Sequence, residues 1–358
     1  MYLKFGYLFI AYLSFFIASI SFSVLINYIF LKFVKTLGIR NKETTVIRWS
    51  SESKPSLGGI TFFIIFLLSL IAYSFFFERN NYFLNVKFIG VIFACIVAFL
   101  MGLYDDALNT KVHIKIISQI TASLILIITG THIELFNSPF LNYAITIIWV
   151  IGIMNSINML DNMDGITTIV SIFIILTIIL TILIQRDYSN QYFILLLGSL
   201  ASLIGFLFFN FHPSQMYMGD TGSQFLGTLL AAFGIIYIWN IKEIDGNYIF
   251  SKQIILVIIV FALPIIDTTT VTIKRLSRGK SPFVGGKDHT THHLFYLVKT
   301  ERKVAAIFTI LTALSTLFGV LIVCFFETWN YIHIIFFTIY FLIIFSTLFC
   351  ISIFVKPK

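Results

Sequence analysis

Charge is scarce in this chain. Only 11% of its 358 residues are Asp, Glu, Lys or Arg, against about 25% in an ordinary soluble domain. Too few polar groups are present to coat a water-soluble globule, and a soluble domain is excluded. Disorder is excluded as well, because a disordered chain needs low hydrophobicity. Cysteine is almost lacking. Cys95, Cys324 and Cys350 each lie inside an apolar run, so no disulfide framework is implied. No polar stretch is long enough for a separate soluble domain, and no internal repeat or low-complexity tract is evident. The net charge of +8 is not gathered into a basic domain, so nucleic acid is not an expected partner. What the chain does have is 58% hydrophobic residues, 41 of its residues being Phe. That composition describes a polytopic membrane protein.

A helix needs about 20 mostly apolar residues to cross the hydrocarbon core. Such runs lie near 5–31, 59–77, 88–104, 116–131, 142–160, 166–184, 192–209, 222–239, 253–273, 304–326 and 332–355. The expected fold is therefore an all-α integral membrane bundle of about eleven helices, with ten as the alternative count. It forms a single domain over 1–358. The first run is expected to be retained, being too long for a signal peptide and lacking a small-residue cleavage site. Lys and Arg set the orientation. Eighteen of the 24 fall in the odd-numbered gaps, at the end of the first span or at the C-terminus. Those gaps are expected to face the cytoplasm, with the N-terminus outside and the C-terminus inside.

The unusual polar groups fall on that same face. The third gap opens with Asp105-Asp106. The fifth runs Asn155, Asn158, Asp161, Asp164 at three-residue spacing. The seventh carries Asn210-Phe211-His212-Pro213 and then Met218-Gly219-Asp220-Thr221-Gly222-Ser223. The ninth begins near Asp267 and continues to His289, His292 and His293. Acids at span ends are costly and functional by default. Each cluster alone also admits a structural reading: a solvated helix end, a polar stripe between helices, a capped helix start. Together they gather carboxylates and amides suited to a hard cation and a helix start able to receive phosphate, with Asp220 and Thr221 as its expected caps. The three histidines could share a helical face and hold zinc. No Cys is at hand, and Arg278, Lys280 and Lys287 are neighbours, which favours an anion clamp. His113, His132, His212 and His333 are isolated and read as structural, although His212 adjoins a motif.

From Lys54-Pro55-Ser56-Leu57-Gly58-Gly59 to His293 the motifs resemble those of the polyprenyl-phosphate N-acetylhexosamine-1-phosphate transferases. That family includes undecaprenyl-phosphate GlcNAc-1-phosphate transferases, initiators of teichoic-acid and O-antigen (lipopolysaccharide) synthesis, and the phospho-MurNAc-pentapeptide translocases. Asp105-Asp106 is similar to the family's aspartate pair, and Lys115 with Gln119 to the pair that follows it. Asn155–Gly165 is similar to its Asn-rich loop. Met218–Ser223 matches the most specific motif in full, and Pro264–Thr268 and Ser281-Pro282-Phe283 also match. Two departures favour the GlcNAc-transferring side. Thr291 interrupts the translocase's run of three histidines, and Ala107-Leu108-Asn109 lacks its lysine.

The resemblance implies a reaction: a UDP-N-acetylhexosamine plus polyprenyl phosphate gives polyprenyl-diphosphate-HexNAc and UMP. It implies Mg²⁺, with Mn²⁺ as the alternative, held by Asp220 and Asn158. Asp105 would be the base for the lipid phosphate, with Asp106 assisting. Lys115 would bind phosphate oxygens, and Asp161 and Asp164 would shape the pocket. Lys54, Asn155, Asn210, Tyr217, His289, His292 and His293 would bind substrate, Tyr217 by stacking on uracil. The implied site joins loops 105–115, 155–167, 210–223 and 267–303 at the cytoplasmic face of a bacterial inner membrane, in a monomer or homodimer. Direct attack and an aspartyl intermediate both remain open, as does which histidine touches substrate. Two rival classes fit less well. A secondary transporter usually shows repeat halves, interrupted spans and midplane charges, none of which the sequence displays. A membrane prenyltransferase is expected to carry paired Asp-x-x-x-Asp motifs, whereas here the acids are spread over four gaps.

Overall fold

The computed structural model describes residues 2–37, 54–76, 85–187, 191–243, 246–281, 286–325 and 328–355. Arg40, Lys42, Arg48, Arg79, Pro282, Phe283, Lys356 and Lys358, which enter the orientation count or the motif match, lie outside the described residues. The fold is helical: α1 (Tyr2–Leu37), α2 (Gly58–Phe76), α3 (Val86–Leu108), α4 (Val112–Ile128), α5 (Pro139–Leu160), α6 (Ile166–Ile184), α7 (Gln191–Asn210), α8 (Gly219–Gly234, continued by a π turn Ile235–Trp239), α9 (Phe250–Val260), α10 (Ala262–Leu276), α11 (Thr290–Val298), α12 (Glu301–Cys324) and α13 (Tyr331–Phe354). Among the described residues the only extended pairing is a parallel bridge between Ser56 and Tyr217.

Helices dominate because lipid offers no partner to a backbone N–H or C=O, so each segment must satisfy its own. Among the described residues, eight helices are long and apolar enough to cross a membrane, and α9 with α10 makes a ninth if the bent pair is one span. α2 and α4 are shorter apolar helices. These elements coincide one for one with the eleven apolar runs, and they fit an integral membrane bundle. Large apolar side chains are exposed around the rim, including Ile10, Ile128, Phe140, Ile148 and Phe354. In water such a surface would aggregate; against lipid it is at home.

The ninth run departs from expectation. It is not one straight span: α9 and α10 meet at a 78° bend. Pro264 lacks an N–H and cannot donate to the Val260 carbonyl, so the helical ladder is already cut at the turn where the chain bends. An interrupted span, looked for as the mark of a transporter, is thus present here. The fourth run also shifts, from 116–131 to Val112–Ile128.

α8 lies at the centre, packed by α3, α5, α2 and α6, and it is the most buried of the candidate spans. Its close neighbours require small residues. A Cβ on Gly102 of α3 would collide with the Asp220 carbonyl oxygen. α13 sits at the edge with little of its surface covered. The start of α8 therefore lies where the ends of α3, α4 and α5 converge.

A helix-end cluster of carboxylates, amides and a lysine

Asp105 and Asp106 are adjacent in sequence but point apart. Asp105 is 4% exposed. It accepts from the Thr110 backbone N–H at 2.7 Å and the Thr110 hydroxyl at 2.5 Å, and it forms an ion pair with Lys115. Asp106 reaches across to α8. Its carboxylate accepts from the backbone N–H groups of Asp220 (3.0 Å) and Thr221 (2.8 Å) and from the Thr221 hydroxyl (2.6 Å). The cap of α8 is therefore Asp106 from another helix, not Asp220 or Thr221 of its own. The N-cap position, Met218, has no side-chain oxygen to offer. A carboxylate at a helix N-terminus satisfies orphan donors and opposes the positive end of the dipole. Gly219 makes the approach feasible: it has φ +72°, and a Cβ there would strike Asp106.

Asp220 then projects toward α4 and α5. Asn158 donates to its Oδ1 and to Ser223 Oγ at 2.8 Å. Lys115 Nζ stands 3.9 Å from Asp220 Oδ2, which places one ammonium between Asp105 and Asp220. Below this group lie three amides. Gln119 and Asn155 exchange hydrogen bonds at 3.2 and 3.0 Å, and Gln119 also donates to Gln224 at 3.2 Å. Asp161, which ends α5, is packed nearby. Burial, then the charges of Asp220, Asp106 and Asp164, push its carboxyl up to about 7.

Residues 54–56 and 211–218 form a second wall. Gly58 donates to the Tyr217 carbonyl at 3.1 Å and Tyr217 to the Pro55 carbonyl at 2.9 Å. Asn210 is 2% exposed; it accepts from Thr168 at 2.7 Å and donates to the Met216 carbonyl at 3.0 Å, closing the turn beneath α7. Lys54 lies 5.5 Å from the centre of the Tyr217 ring and donates to Ser214 Oγ at 3.2 Å. Asp164 accepts from the Ser214 N–H (2.9 Å) and hydroxyl (2.8 Å). His212 Nδ1 lies 3.2 Å from Asp164 and 3.0 Å from Glu301, so this residue is not isolated. Among the described residues, Asp164, His212 and Glu301 also form a group whose ligand atoms lie within 4.8 Å of one another, close enough to share a metal. Lys54, 3.9 Å from Asp164, already supplies positive charge there.

His292 and His293 sit on α11, a short helix of the kind the spacing of the three histidines allowed. His289 is its N-cap. Asp267 of α10 accepts from His289 Nδ1 (2.8 Å), the Thr290 N–H (2.8 Å) and the Thr290 hydroxyl (2.6 Å). His292 is 2% exposed. Burial first, then the neighbouring His289, push its imidazole down to about 3, so it is uncharged at neutral pH. His293 Nδ1 meets the Val355 carbonyl at 2.6 Å and must carry its proton there; its Nε2 accepts from Lys274 at 2.8 Å. Burial, with Lys274 beside it, lowers its basicity too. Lys274 also donates to the Asp288 and Ser352 carbonyls at 3.2 and 2.9 Å. Arg275 grips Asp288 with two bonds, of 2.9 and 2.6 Å. Burial opposes the Asp288 charge, but the guanidinium holds the carboxyl below its usual range. The Thr291 hydroxyl donates to Asn162 at 2.6 Å and ties α11 to the end of α5.

Thus Asp105, Asp106, Lys115, Asn158 and Asp220 come together at one point, with Asn155 a turn below. Lys54, Asp164, Asn210 and Tyr217 form an adjacent wall. His289, His292 and His293 form a third element joined through Asn162. The sequence reading passed over Thr110, Gln224, Lys274 and Glu301. Gln224 had a signal, since it follows Asp220 by four residues and so shares its helix face. Glu301 had none, because its partner lies 89 residues earlier.

Residues 88–238 match the family described as glycosyl transferase family 4. The resemblance drawn from the motifs is borne out. The matched stretch runs from the start of α3 to the π turn after α8 and contains the whole helix-end cluster. A relative from Bacillus subtilis, named a probable undecaprenyl-phosphate N-acetylglucosaminyl 1-phosphate transferase, is 26% identical over 251 residues, which cover 67% of this chain and 65% of that protein. The chain thus matches slightly less than two thirds of that relative's length. A phospho-N-acetylmuramoyl-pentapeptide-transferase from Staphylococcus saprophyticus is 26% identical over 74% of this chain and 84% of its own. A decaprenyl-phosphate N-acetylglucosaminephosphotransferase from Mycobacterium leprae is 30% identical over 107 residues, 29% of this chain and 27% of that one.

Proposed function

We propose that this chain transfers a HexNAc-1-phosphate group, GlcNAc-1-phosphate foremost, from a UDP-sugar to undecaprenyl or another polyprenyl phosphate, at the cytoplasmic face of a bacterial inner membrane. An oxygen of the lipid phosphate bonds to the sugar-bearing phosphorus of the donor. The bond from that phosphorus to the bridging oxygen breaks, and UMP leaves with the electron pair. The observation that carries this reading is the convergence of Asp105, Lys115, Asn158 and Asp220 at helix ends capped by Asp106. Two polyanions must meet there, and they need a cation, an ammonium and oriented donors.

The donor set fits a hard divalent ion such as Mg²⁺. Asp220 offers carboxylate oxygens, and Asn158 offers an amide oxygen once its side chain rotates. When bound, the ion would neutralise the diphosphate and polarise the phosphoryl oxygens. The chain's own residues do the rest. Lys115, freed in part from Asp105, pairs with phosphate oxygens. Asp105 accepts the lipid phosphate's remaining proton when that group arrives as a monoanion. Asp106 keeps α8 in place. Lys54 and Tyr217 hold the nucleotide. His292, being neutral, donates a plain hydrogen bond rather than a charge.

The test is release of UMP by purified protein supplied with undecaprenyl phosphate, Mg²⁺ and a panel of UDP-sugars. UMP formation with UDP-GlcNAc that requires both lipid and cation is expected. Absence of UMP with every UDP-sugar, under conditions where the protein is folded, would overturn the reading.

A further inference from the structure

The three amides beneath the cluster are arranged with a regularity that hydrogen bonding alone does not demand. Gln119 lies four residues after Lys115 on α4. Asn155 lies three residues before Asn158 on α5. Gln224 lies four residues after Asp220 on α8. Each amide is thus one helical turn further into the bundle than a polar residue of the cluster, on the same face of the same helix. Of the upper residues, Lys115 and Asn158 each meet Asp220. The lower three touch one another as well: Gln119 with Asn155 in both directions, and Gln119 with Gln224. Gln119 and Gln224 are 1% and 3% exposed.

We propose that Gln119, Asn155 and Gln224 are positioning residues, an amide tier that sets the spacing of Lys115, Asn158 and Asp220 and thereby the affinity of that group for a divalent cation. The proposal rests on the reading that the cluster takes such an ion. Gln119 is the hub. Its NH₂ group feeds the oxygens of both Asn155 and Gln224, and its own oxygen accepts from Asn155. If that hub is removed, the oxygens of half-buried Asn155 and buried Gln224 both lose their donor, and the Asn155 NH₂ group loses one of its acceptors. Buried acceptors without donors are costly, and in a dry interior the cost is not relieved by water. α4, α5 and α8 would then shift or rotate to recover partners. The residues one turn above would move with them, opening the gap between Asp220 and Asn158.

Methionine keeps the length and bulk of glutamine and removes its hydrogen bonds, which makes Gln119→Met and Gln224→Met suitable probes. The measurement is binding of Mn²⁺ alone, followed by electron paramagnetic resonance of the free ion, on the purified full chain. Thermal unfolding without cation is recorded beside it. Loss of a group that orients a metal ligand typically costs about 10–100-fold in affinity. Gln119→Met is expected to weaken Mn²⁺ binding by about 10-fold or more. Gln224→Met should weaken it less, because the Gln119–Asn155 pair survives. The double variant should be little worse than Gln119→Met, since both substitutions delete the same bond. If Gln119→Met fails to fold, Gln224→Met alone carries the test. A tier that is only structural predicts lower melting temperatures with parent-like Mn²⁺ binding in the folded variants, and that result overturns the proposal. A parent that binds no Mn²⁺ overturns it together with the cation reading. A parent that binds Mn²⁺ but releases no UMP, with the variants weakened as expected, leaves the tier standing and removes only the transferase reading.

Discussion

At the residue scale, the paired aspartates illustrate how sequence adjacency can hide opposite tasks. Asp106 serves α8, accepting three hydrogen bonds from its first turn. Asp105 serves Thr110 and Lys115. Asp220 completes a group of three acids with a single ammonium among them, and like charges held close destabilise one another. Removing one should therefore relieve strain while it removes function. Asp220→Asn is expected to lower UMP formation by at least about 100-fold. It is also expected to raise, or leave unchanged, the thermal midpoint measured without divalent ions. A variant that loses stability and activity together would mean that Asp220 is a structural member of α8 instead. Carboxylates and amides at span ends could be picked from the sequence, and Met218–Ser223 named the right helix start. What could not be read was which acid caps it, because Asp106 lies 114 residues away in the chain and the pairing exists only after α3 packs on α8.

At the scale of elements, the apolar runs foretold the helices because each had to bury or expose about 20 apolar residues to lipid. The bend after α9 left one trace, Pro264, inside a run otherwise apolar enough to pass as continuous. α11 left only the helical spacing of its histidines: it is nine residues long, and the acid that caps it, Asp267, belongs to α10. Its burial has a consequence for pH. His292 is held near 3 in the folded protein, below the unfolded value of about 6.5. Its neutral form therefore supports folding fully above about pH 6.5, and that support drains away as pH falls toward 3. At pH 5 the loss amounts to about 2 kcal/mol. Between pH 7.5 and pH 5 the thermal midpoint of His292→Gln is expected to fall less than that of the parent. Equal falls would show that the imidazole is as easily protonated in the folded state as in the unfolded one.

For the whole molecule, the excess of Lys and Arg on one side predicts the orientation. Ser281 and Asn137 are both exposed and lie in gaps of opposite parity. In a background with Cys95, Cys324 and Cys350 changed to Ser, an impermeant thiol reagent applied to intact cells is expected to label Asn137→Cys. Ser281→Cys should react only after the membrane is opened. The reverse pattern would invert the orientation and put the cluster outside. The partition of the bundle carries a different implication, one about how such a chain can diverge. Every residue of the helix-end cluster lies between α3 and α8, within the stretch 88–238 shared with the family. α10 and α11, with Lys274, Arg275 and the histidines, lie beyond it. They meet the end of α5 through the Thr291–Asn162 bond and hold their charges among themselves and the end of α13. α10 also packs along α5, so substitutions on that face would be felt by the helix that carries Asn155 and Asn158, whereas the face turned to α13 is further from the cluster. The chain is in this sense layered without having domains: a core of converging helix ends, and a flanking pair of helices that leans on it through α5, so that sequence change in the pair is constrained where it faces α5 and freer elsewhere.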